Sequence, residues 1–364
     1  MSAPPFRAEH IGSLLRPAEV LETRAAFDEG QCSAADLRAV EDRHIEDAVR
    51  LQERLGLQSI TDGEYRRTYY FGNFPDSVEG FTWMPSRDTF TGADRARMAY
   101  RTPVVTRGLR RVRGIATGDF SFVRALTQRT PKVTMPSPPS QHYFRWWEGT
   151  SDQGYGLEEF FADVVRIYRE ELAELAALGA TYVQLDDVTF GMLSDPTHRA
   201  AFEARGYRVP DMLERYVRLV NDAVADRPRG LTVGLHICRG NNQGRWLAEG
   251  GYDEVAEQAF GGLDVDALFL EYDSERAGGL EPLRFVAGGR HVVLGLVSTK
   301  TPELEKGDEL RRRLDEAARL VPLDQLSLSP QCGFASTSPG NPLTPADQEA
   351  KLRLVVETAE RVWA

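Results

Sequence analysis

Short apolar runs rich in β-branched residues alternate with longer amphipathic segments along most of this chain. Eight of the short runs have the length and composition of β-strands. They lie at 8–13, 58–64, 132–135, 181–186, 231–238, 267–272, 291–297 and 324–330. Strands that alternate with helical segments are typical of a parallel sheet with crossover helices, so the pattern predicts an α/β protein.

The amphipathic segments repeat apolar residues at intervals of three and four, as one buried helix face requires. The clearest is 157–179, where Gly179 suits the carboxyl-terminal end of a helix; 211–224 and 253–260 behave likewise. Eight strands with intervening helices predict a (β/α)8 TIM barrel. A doubly wound open sheet is the alternative, but no glycine-rich dinucleotide motif follows the first strand.

The interval between the second and third predicted strands is unusually long. Residues 65–131 contain aromatics, a cluster of arginines and a candidate hairpin within 102–123. We interpret this interval as an insertion over the barrel mouth and not as a separate domain. The expected organisation is therefore a single catalytic barrel over residues 1–364, whose 41% hydrophobic content is ample for one core.

Composition narrows the classes of partner. A net charge of −11 and a pI near 5.2 argue against nucleic acid, because phosphate contacts need clustered Lys and Arg. No run approaches the length of a membrane span, and no secretory signal is visible at the start. Three cysteines cannot build a disulfide framework. We expect a cytoplasmic protein that acts on small molecules; its oligomeric state is not indicated.

Four potential metal ligands follow apolar runs near the predicted strand ends. His236 and Cys238 are two residues apart in one strand, so their side chains project to the same side. Glu271 ends the next strand, and Cys332 follows the last one. Each has an ordinary explanation alone, such as packing or a salt bridge to Arg239. Together, an imidazole, a carboxylate and two thiols at the catalytic end of a barrel favour a Zn²⁺ site.

Acidic residues also lie at two other predicted strand ends. Asp62 and Glu64 end the second strand, whereas Asp186 and Asp187 end the fourth. Adjacent strand residues face opposite ways, so only one of Asp186 and Asp187 should face the mouth. Helix N-caps and paired surface charges are the alternative roles for these carboxylates.

Several other polar residues are candidates for the pocket. The small residues of EHIGS would let a ligand approach the backbone near His10 and Ser13. His10 and Asp62 are the candidate catalytic acids. His142 is a third candidate, although a position in a surface loop beside two tryptophans explains it more simply. Arg239 could bind an anionic group of the substrate or pair with neighbours of Glu271.

These motifs together resemble the catalytic barrel of the cobalamin-independent methionine synthase family. The resemblance runs from HIGS through GLHIC and LEYD to QCGF, over essentially the whole chain. That family holds zinc with a His-x-Cys pair, a glutamate at the next strand end and a cysteine after the last strand. The resemblance therefore implies His236, Cys238, Glu271 and Cys332 as the ligands.

The resemblance also implies an amino-acid site. In the family, homocysteine is held by residues that correspond here to Ser13, Glu64 and Asp186. The acidic residues would hold the ammonium group, and Ser13 with backbone amides would hold the carboxylate. The segments HICRGNN, LEYDSERAGG and LGLVSTKTPELE are closest to short relatives that consist of the catalytic barrel alone.

Two segments differ from the large methionine synthases. Those enzymes have a histidine proposed to assist proton transfer after the seventh strand, where this chain has Ser298 and Lys300. The segment after the third strand, KVTMPSPPSQHYF, differs from the folate-contacting segment of the family. The methyl donor therefore stays open between a polyglutamylated folate, another methyl carrier and an epoxide-like electrophile.

The expected function is a zinc-dependent S-methyltransferase or alkyltransferase of the methionine biosynthesis type. Zinc would keep a homocysteine-like thiol as a zinc thiolate, which attacks the methyl or alkyl donor. Three alternatives remain at this point. One is thiol–epoxide transfer, as in epoxyalkane:coenzyme M transferases. The second is a decarboxylase of the related uroporphyrinogen decarboxylase fold with a structural zinc. The third is a barrel that stores metal or carries methionine without catalysis.

Overall fold

The computed structural model describes residues 3–91, 97–143 and 155–363. The described residues form ten strands, of which two belong to a hairpin and eight to the barrel wall. The strands are β1 (Ser59–Ile60), β2 (Val78–Thr91), β3 (Arg97–Arg111), β4 (Thr130–Pro131), β5 (Val133–Pro136), β6 (Tyr182–Asp187), β7 (Thr232–Ile237), β8 (Ala267–Glu271), β9 (His291–Val297) and β10 (Leu326–Pro330).

Helices follow or connect most of these strands. They are α1 (Ala18–Asp28), α2 (Ala34–Leu55), α3 (Asn73–Ser77), α4 (Thr117–Leu126), α5 (Pro138–Tyr143), α6 (Leu157–Ala177), α7 (Thr189–Ser194), α8 (Pro196–Glu203), α9 (Val209–Val224), α10 (Asp253–Gly262), α11 (Gly307–Ala317) and α12 (Pro345–Trp363). Within the described ranges, no helix has the length and apolarity needed to cross a membrane.

The strands close into a ring. Strands β5 to β10 form a parallel sheet in chain order, and β1 pairs in parallel with β4, which leads directly into β5. The segment 7–14 fills the remaining position: Ala8 bridges Leu328 of β10, and the Leu14 amide donates to the Gly63 carbonyl at 3.0 Å. The predicted (β/α)8 barrel is confirmed, and the open doubly wound sheet is excluded by this closure.

The first two predicted strands are the irregular part of the ring. Residues 8–13 make one isolated bridge, and 58–64 contributes only the two residues of β1. Gly12 has φ 141°, Gly63 has φ 67° and Glu64 has φ 61°, so the backbone leaves the extended conformation at these points. The other six predicted strands are found within a few residues of their expected bounds.

The long crossover helices follow the predicted apolar stripes. Helix α6 buries Phe160, Val164 and Ile167 on one face, and it ends just before Gly179, whose φ of 94° suits the end of a helix. Helix α9 begins two residues earlier than predicted, with Pro210 in its first turn. Periodicity therefore predicted these helices well.

The interval 65–131 contains α3, the β2–β3 hairpin and α4. The hairpin expected within 102–123 was wrong in extent, because Val78–Thr91 pairs with Arg97–Arg111 and residues 117–126 form a helix. Phe120 and Val123 of that helix are buried at helical spacing, a signal that competed with the strand pattern. Because Phe74 and Val105 belong to the same core as the barrel strands, we infer that this insertion is part of one barrel domain.

Candidate active site

Four side chains of the types that can bind a metal meet at the carboxyl ends of β7, β8 and β10. The donor atoms of His236, Cys238, Glu271 and Cys332 all lie within 4.8 Å of one another, and all four residues are buried. The two sulfur atoms are 3.5 Å apart, and both cysteines are free thiols. Parallel strands deliver their ends to one face of a barrel, which explains how residues nearly a hundred positions apart converge.

Two donor atoms of this cluster have no hydrogen-bond partner. His236 Nε2 and Glu271 Oε2 are both buried without one, while His236 Nδ1 lies 3.4 Å from the Phe269 carbonyl oxygen. Two guanidinium groups lie near Glu271 Oε2 at ion-pair distance, those of Arg276 at 3.6 Å and Arg239 at 3.9 Å. Buried polar atoms nearly always have a partner. An imidazole nitrogen and a carboxylate oxygen in this condition beside two thiols fit a metal ion as their common partner.

The two thiols have opposite acidities. Their mutual hydrogen bond lowers the pKa of Cys332 well below its usual value and raises the pKa of Cys238 well above its own, an increase that burial reinforces. The Gly240 amide donates to Cys238 Sγ at 3.2 Å, and the Ser336 hydroxyl lies 3.6 Å from Cys332 Sγ. Both sulfurs therefore have polar neighbours within the buried cluster.

A cavity adjoins the cluster. It brings Ser13, Glu64 and Asp186 to the same space as three of the four cluster residues. The lining residues are Ile11, Ser13, Glu64, Tyr69, Tyr70, Phe71, Asp186, Val188, His236, Cys238, Gly240, Asn241, Leu247, Cys332, Ser336 and Thr337. Apolar walls with a few convergent polar groups are typical of small-molecule sites.

Two buried carboxylates face this cavity. Glu64 Oε1 accepts a hydrogen bond from the Thr134 hydroxyl at 2.9 Å and lies 3.7 Å from Arg67 Nη1, whereas Glu64 Oε2 is buried without a hydrogen bond. Asp186 Oδ1 accepts from Gln184 Nε2 at 2.7 Å. Burial raises the pKa of Glu64, and it raises the pKa of Asp186 to about 7. A cationic ligand group would be a favourable partner for both.

The backbone of Glu64 is unusual for a residue with a side chain. Its φ of 61° lies in the left-handed region, where a residue other than glycine is strained. The Glu64 carbonyl accepts from the Arg16 guanidinium at 2.6 Å, which holds this conformation in place. The strain is located where the carboxylate enters the cavity, as is common at functional sites.

Ser13 lies against the loop that follows Cys332. Its hydroxyl accepts from the Ala335 amide at 3.3 Å, and the Phe334 amide donates to the Ser13 carbonyl at 3.0 Å. A Cβ atom on Gly333 would lie 1.9 Å from Ser13 Oγ, so this loop needs glycine there. The predicted HIGS and QCGF motifs are thus in direct contact.

The structure corrects the role predicted for His10. In the extended segment 7–14, Ile11 and Ser13 face the cavity, and alternation turns His10 away from it. His10 Nε2 lies 3.1 Å from the Ser59 carbonyl. Burial, with the neighbouring Lys132, lowers the pKa of His10 to about 3, so the ring is neutral and is not an acid near pH 7.

Asp62 is not at the cavity either. Its Oδ1 accepts from the Glu64 amide at 2.9 Å, and it lines a small neighbouring cavity with Arg67 and Asp119. The backbone takes left-handed angles at Gly63 and Glu64, so the strand does not continue through them. The two-residue spacing therefore does not bring the Asp62 and Glu64 carboxylates to the same side. Asp62 as a catalytic acid is therefore wrong for this geometry.

Arg239 does not contact the cavity. Its side chain is fully buried, donates to the carbonyls of Gly250 and Glu271 at 2.9 and 3.2 Å, and lies 3.9 Å above the Tyr252 ring. These contacts fix the loop behind the cluster, and the prediction of a substrate-binding arginine is wrong. His142 is also buried, 2.8 Å from the Tyr216 hydroxyl.

An aromatic wall and an amide of the cavity are not among the predicted site residues. Tyr69 and Phe71 stack with ring centroids 5.3 Å apart, and Asn241 donates to the Gly333 carbonyl at 3.0 Å while its buried Oδ1 has no hydrogen bond. The aromatic run directly follows the TDGEYRR segment, and Asn241 comes three residues after Cys238. Their position after strand ends was the available signal.

Comparisons with known proteins agree with this geometry. Residues 6–361 match the family model of the cobalamin-independent synthase catalytic domain. The uncharacterized protein YxjH of Bacillus subtilis is 40% identical, with 99% of this chain and 95% of that protein covered. A 5-methyltetrahydropteroyltriglutamate–homocysteine methyltransferase of Rhodococcus jostii is 25% identical over 100% of this chain but 44% of its own length. The chain thus spans less than half of that enzyme.

Solved structures share the architecture. A protein from Listeria monocytogenes, described provisionally as a vitamin B12-independent methionine synthase, superposes with a TM-score of 0.78 at 30% identity and covers 100% and 99% of the two chains. A B12-independent methionine synthase from Shewanella sp. W3-18-1 has a TM-score of 0.73 at 18% identity, with 98% and 97% covered, and supports the fold alone. The chain belongs to the family of cobalamin-independent synthase catalytic domains.

Proposed function

We propose that this protein is a zinc-dependent S-alkyltransferase that methylates a homocysteine-like amino-acid thiol. The observation that carries the proposal is a cavity that joins the four-donor cluster to Ser13, Glu64 and Asp186. A metal site alone would fit many chemistries. A metal site beside paired carboxylates and a small hydroxyl fits a substrate that carries both a thiol and an α-amino-acid group.

The donor set supports zinc over other metals. Two cysteines, one histidine and one glutamate match the soft and borderline ligands that zinc prefers, whereas magnesium and calcium prefer oxygen donors. Bound zinc would supply the stabilisation that keeps a substrate thiol deprotonated at neutral pH. His236, Cys238, Glu271 and Cys332 are the residues proposed to hold it.

The rest of the cavity is proposed to orient the amino acid. Glu64 and Asp186 would accept hydrogen bonds from the ammonium group, because both are buried carboxylates beside the cavity. Ser13 and the adjacent loop amides would face the carboxylate. With both ends held, the thiol has one direction left, toward Cys238 and Cys332.

The aromatic wall is the proposed contact for the alkyl donor. Tyr69 and Phe71 line the cavity with ring centroids 5.3 Å apart. Trp83 packs against both rings from behind, at 5.9 and 6.1 Å. Such a surface excludes water from the reacting carbon and packs against a flat or apolar donor. The Rhodococcus relative is named for 5-methyltetrahydropteroyltriglutamate; whether a folate of this kind serves here is part of the test.

The structural-zinc alternative is less consistent with the site. A purely structural zinc is normally enclosed by its four ligands, whereas His236, Cys238 and Cys332 all line the cavity. A decarboxylase would also leave the buried carboxylates of Glu64 and Asp186 without a ligand to bind at the cavity. Thiol–epoxide transfer would use the same cluster and differs only in the electrophile.

A product screen tests the proposal. Purified protein with measured zinc content is incubated with L-homocysteine and a panel of donors: methyltetrahydrofolate with one and three glutamates, S-methyl donors and a small epoxide. Mass spectrometry reads the alkylated thiol. We expect methionine with at least one methyl donor. A protein that contains zinc, binds L-homocysteine and alkylates no thiol with any donor would contradict the transferase proposal.

A further inference from the structure

A buried lysine lies at the centre of the barrel, below the cavity. Lys132, between β4 and β5, has a fully buried side chain and donates to Glu9 Oε2 and Gln184 Oε1, each at 3.1 Å, and to the His10 carbonyl. A buried ammonium group is retained only where its hydrogen bonds are satisfied. Lys132 is therefore fixed in position by three acceptors.

Glu9 is fully committed to this arrangement. Its Oε2 also accepts from the Ser59 hydroxyl at 2.8 Å, and its Oε1 accepts from the Tyr182 hydroxyl at 2.9 Å and the Phe6 amide at 3.0 Å. Each oxygen therefore has two donors. The carboxylate has no freedom to move away from Lys132, so the ion pair is a rigid support.

Gln184 connects this support to the cavity. It lies two residues before Asp186 in β6, so the two side chains point to the same side of the strand. Its Oε1 accepts from Lys132, and its Nε2 donates to Asp186 Oδ1 at 2.7 Å and to the Ile11 carbonyl at 2.6 Å. The fully buried amide has its acceptor and both of its donors in use.

The lysine decides which way this amide points. An ammonium group has donors only, so it must face the oxygen of Gln184. The reversed amide would place its NH₂ against Lys132 and its oxygen against two acceptors, and three hydrogen bonds would be lost. The NH₂ group is thereby forced toward Asp186 and the backbone of Ile11.

We propose that Glu9, Lys132 and Gln184, the interior relay, position Asp186 and the segment around Ser13 to recognise the α-amino-acid group of the substrate. One amide holds Asp186 Oδ1 and the Ile11 carbonyl, and Ile11 and Ser13 both line the cavity. The relay thus sets the spacing between the ammonium-binding and carboxylate-binding sides. These are positioning residues, and this inference rests on the proposed function.

The test compares two thiols in Gln184→Glu. This variant keeps the size of the side chain but turns a carboxylate oxygen toward Asp186 and the Ile11 carbonyl, so both donors are lost. Calorimetry on zinc-loaded protein measures binding of L-homocysteine and of its desamino analogue, 4-mercaptobutanoate. We expect the affinity for L-homocysteine to fall about ten-fold or more. The affinity for the analogue, which keeps the carboxylate but lacks the ammonium group, should fall less, by at most about three-fold, because only the lost contact to Ile11 affects it. The zinc content should not change.

Gln52→Glu is the matched control. Gln52 is another fully buried glutamine, and it donates to the carbonyls of Ala48 and Thr61 outside the cavity. It carries the same change of charge without contact to Asp186. We expect lower thermal stability with an unchanged ratio of the two affinities. If Gln184→Glu does not fold, Gln184→Met, which removes the donors without adding charge, should give the same selective loss.

The possible outcomes distinguish a failure of the interior relay from a failure of the proposed function. If the wild type prefers L-homocysteine and a folded Gln184 variant keeps that preference, the relay is overturned and the proposed function stands. If the wild type binds both thiols equally, the amino-acid site itself is wrong. A loss of zinc together with loss of both affinities would show a purely structural role for Gln184.

Discussion

The two sides of the cavity are built differently. The metal side comes from the ends of β7, β8 and β10, which belong to the six-stranded parallel sheet, and its donor atoms converge within 4.8 Å. The amino-acid side takes Asp186 from the end of β6, but its other residues come from the segments 7–14 and 58–64. These segments pair only in short stretches and contain left-handed residues at Gly63 and Glu64. One side has its geometry from the sheet, and the other from a buried polar network.

This difference predicts how each side responds to damage. The metal-side residues lie at or just beyond the ends of paired strands, so changes there should remove a function and leave the fold. Side chains of the amino-acid side are held by their hydrogen bonds, as Glu64 is by Thr134 and Arg16. Changes there should reduce binding in proportion to the number of hydrogen bonds that each substitution removes.

The largest effect is expected for Cys238→Ser on the metal side. Serine keeps the shape but is a poor zinc ligand, so zinc content should fall and alkyl transfer should drop at least about 100-fold. The barrel should remain folded by circular dichroism, because the site lies beyond the strand end. Cys32→Ser is the control, since Cys32 is remote from the cluster. Global unfolding of Cys238→Ser would instead favour a structural zinc.

An intermediate effect is expected for Glu64→Gln on the amino-acid side. The amide loses the charge that faces an ammonium group, and the affinity for L-homocysteine should fall about ten-fold. Zinc content should stay unchanged, whereas thermal stability should fall, because the buried Glu64 carboxylate lies 3.7 Å from the buried Arg67 guanidinium. Calorimetry and a thermal melt measure these. Equal loss of zinc and substrate would contradict separate roles for the two sides.

The smallest effect on activity is expected for His10→Gln, because His10 faces away from the cavity. Transfer at pH 7 should stay within about three-fold. The folded-state pKa of His10 is lowered to about 3, whereas an unfolded histidine titrates near 6.5. Protons therefore bind the unfolded chain preferentially below 6.5, and stability falls as the pH falls toward 3.

Between pH 7 and pH 5, the free energy of unfolding should therefore fall by about 2 kcal/mol less in His10→Gln than in the wild type. Urea unfolding at the two pH values measures this difference. A ten-fold loss of transfer in the zinc-loaded variant would return His10 to the reaction. That result would also mean that the irregular side of the barrel contributes more than binding.

The difference between the two sides of the cavity also explains which site residues could be predicted from the sequence. In the parallel sheet, the spacing of residues along a strand determines the side to which their side chains point. The amino-acid sequence alone was therefore enough to group His236, Cys238, Glu271 and Cys332. Around Gly12 and Gly63, direction depends on backbone angles that no spacing reveals. The predictions for His10 and Asp62 failed there.

Packing between residues far apart in the chain was the second feature that the sequence could not predict. The contact between Arg239 and the Tyr252 ring occupies a guanidinium that local sequence placed beside the metal. The relay of Glu9, Lys132 and Gln184 likewise joins residues up to 175 positions apart, through contacts that appear only when the barrel closes.

The most direct test of thiol activation by zinc is X-ray absorption at the zinc edge, with and without L-homocysteine. The cluster offers two cysteine sulfurs. We expect zinc to gain a third sulfur neighbour when L-homocysteine is added and no change when homoserine is added. An unchanged sulfur count at saturating L-homocysteine would contradict thiol activation at this site.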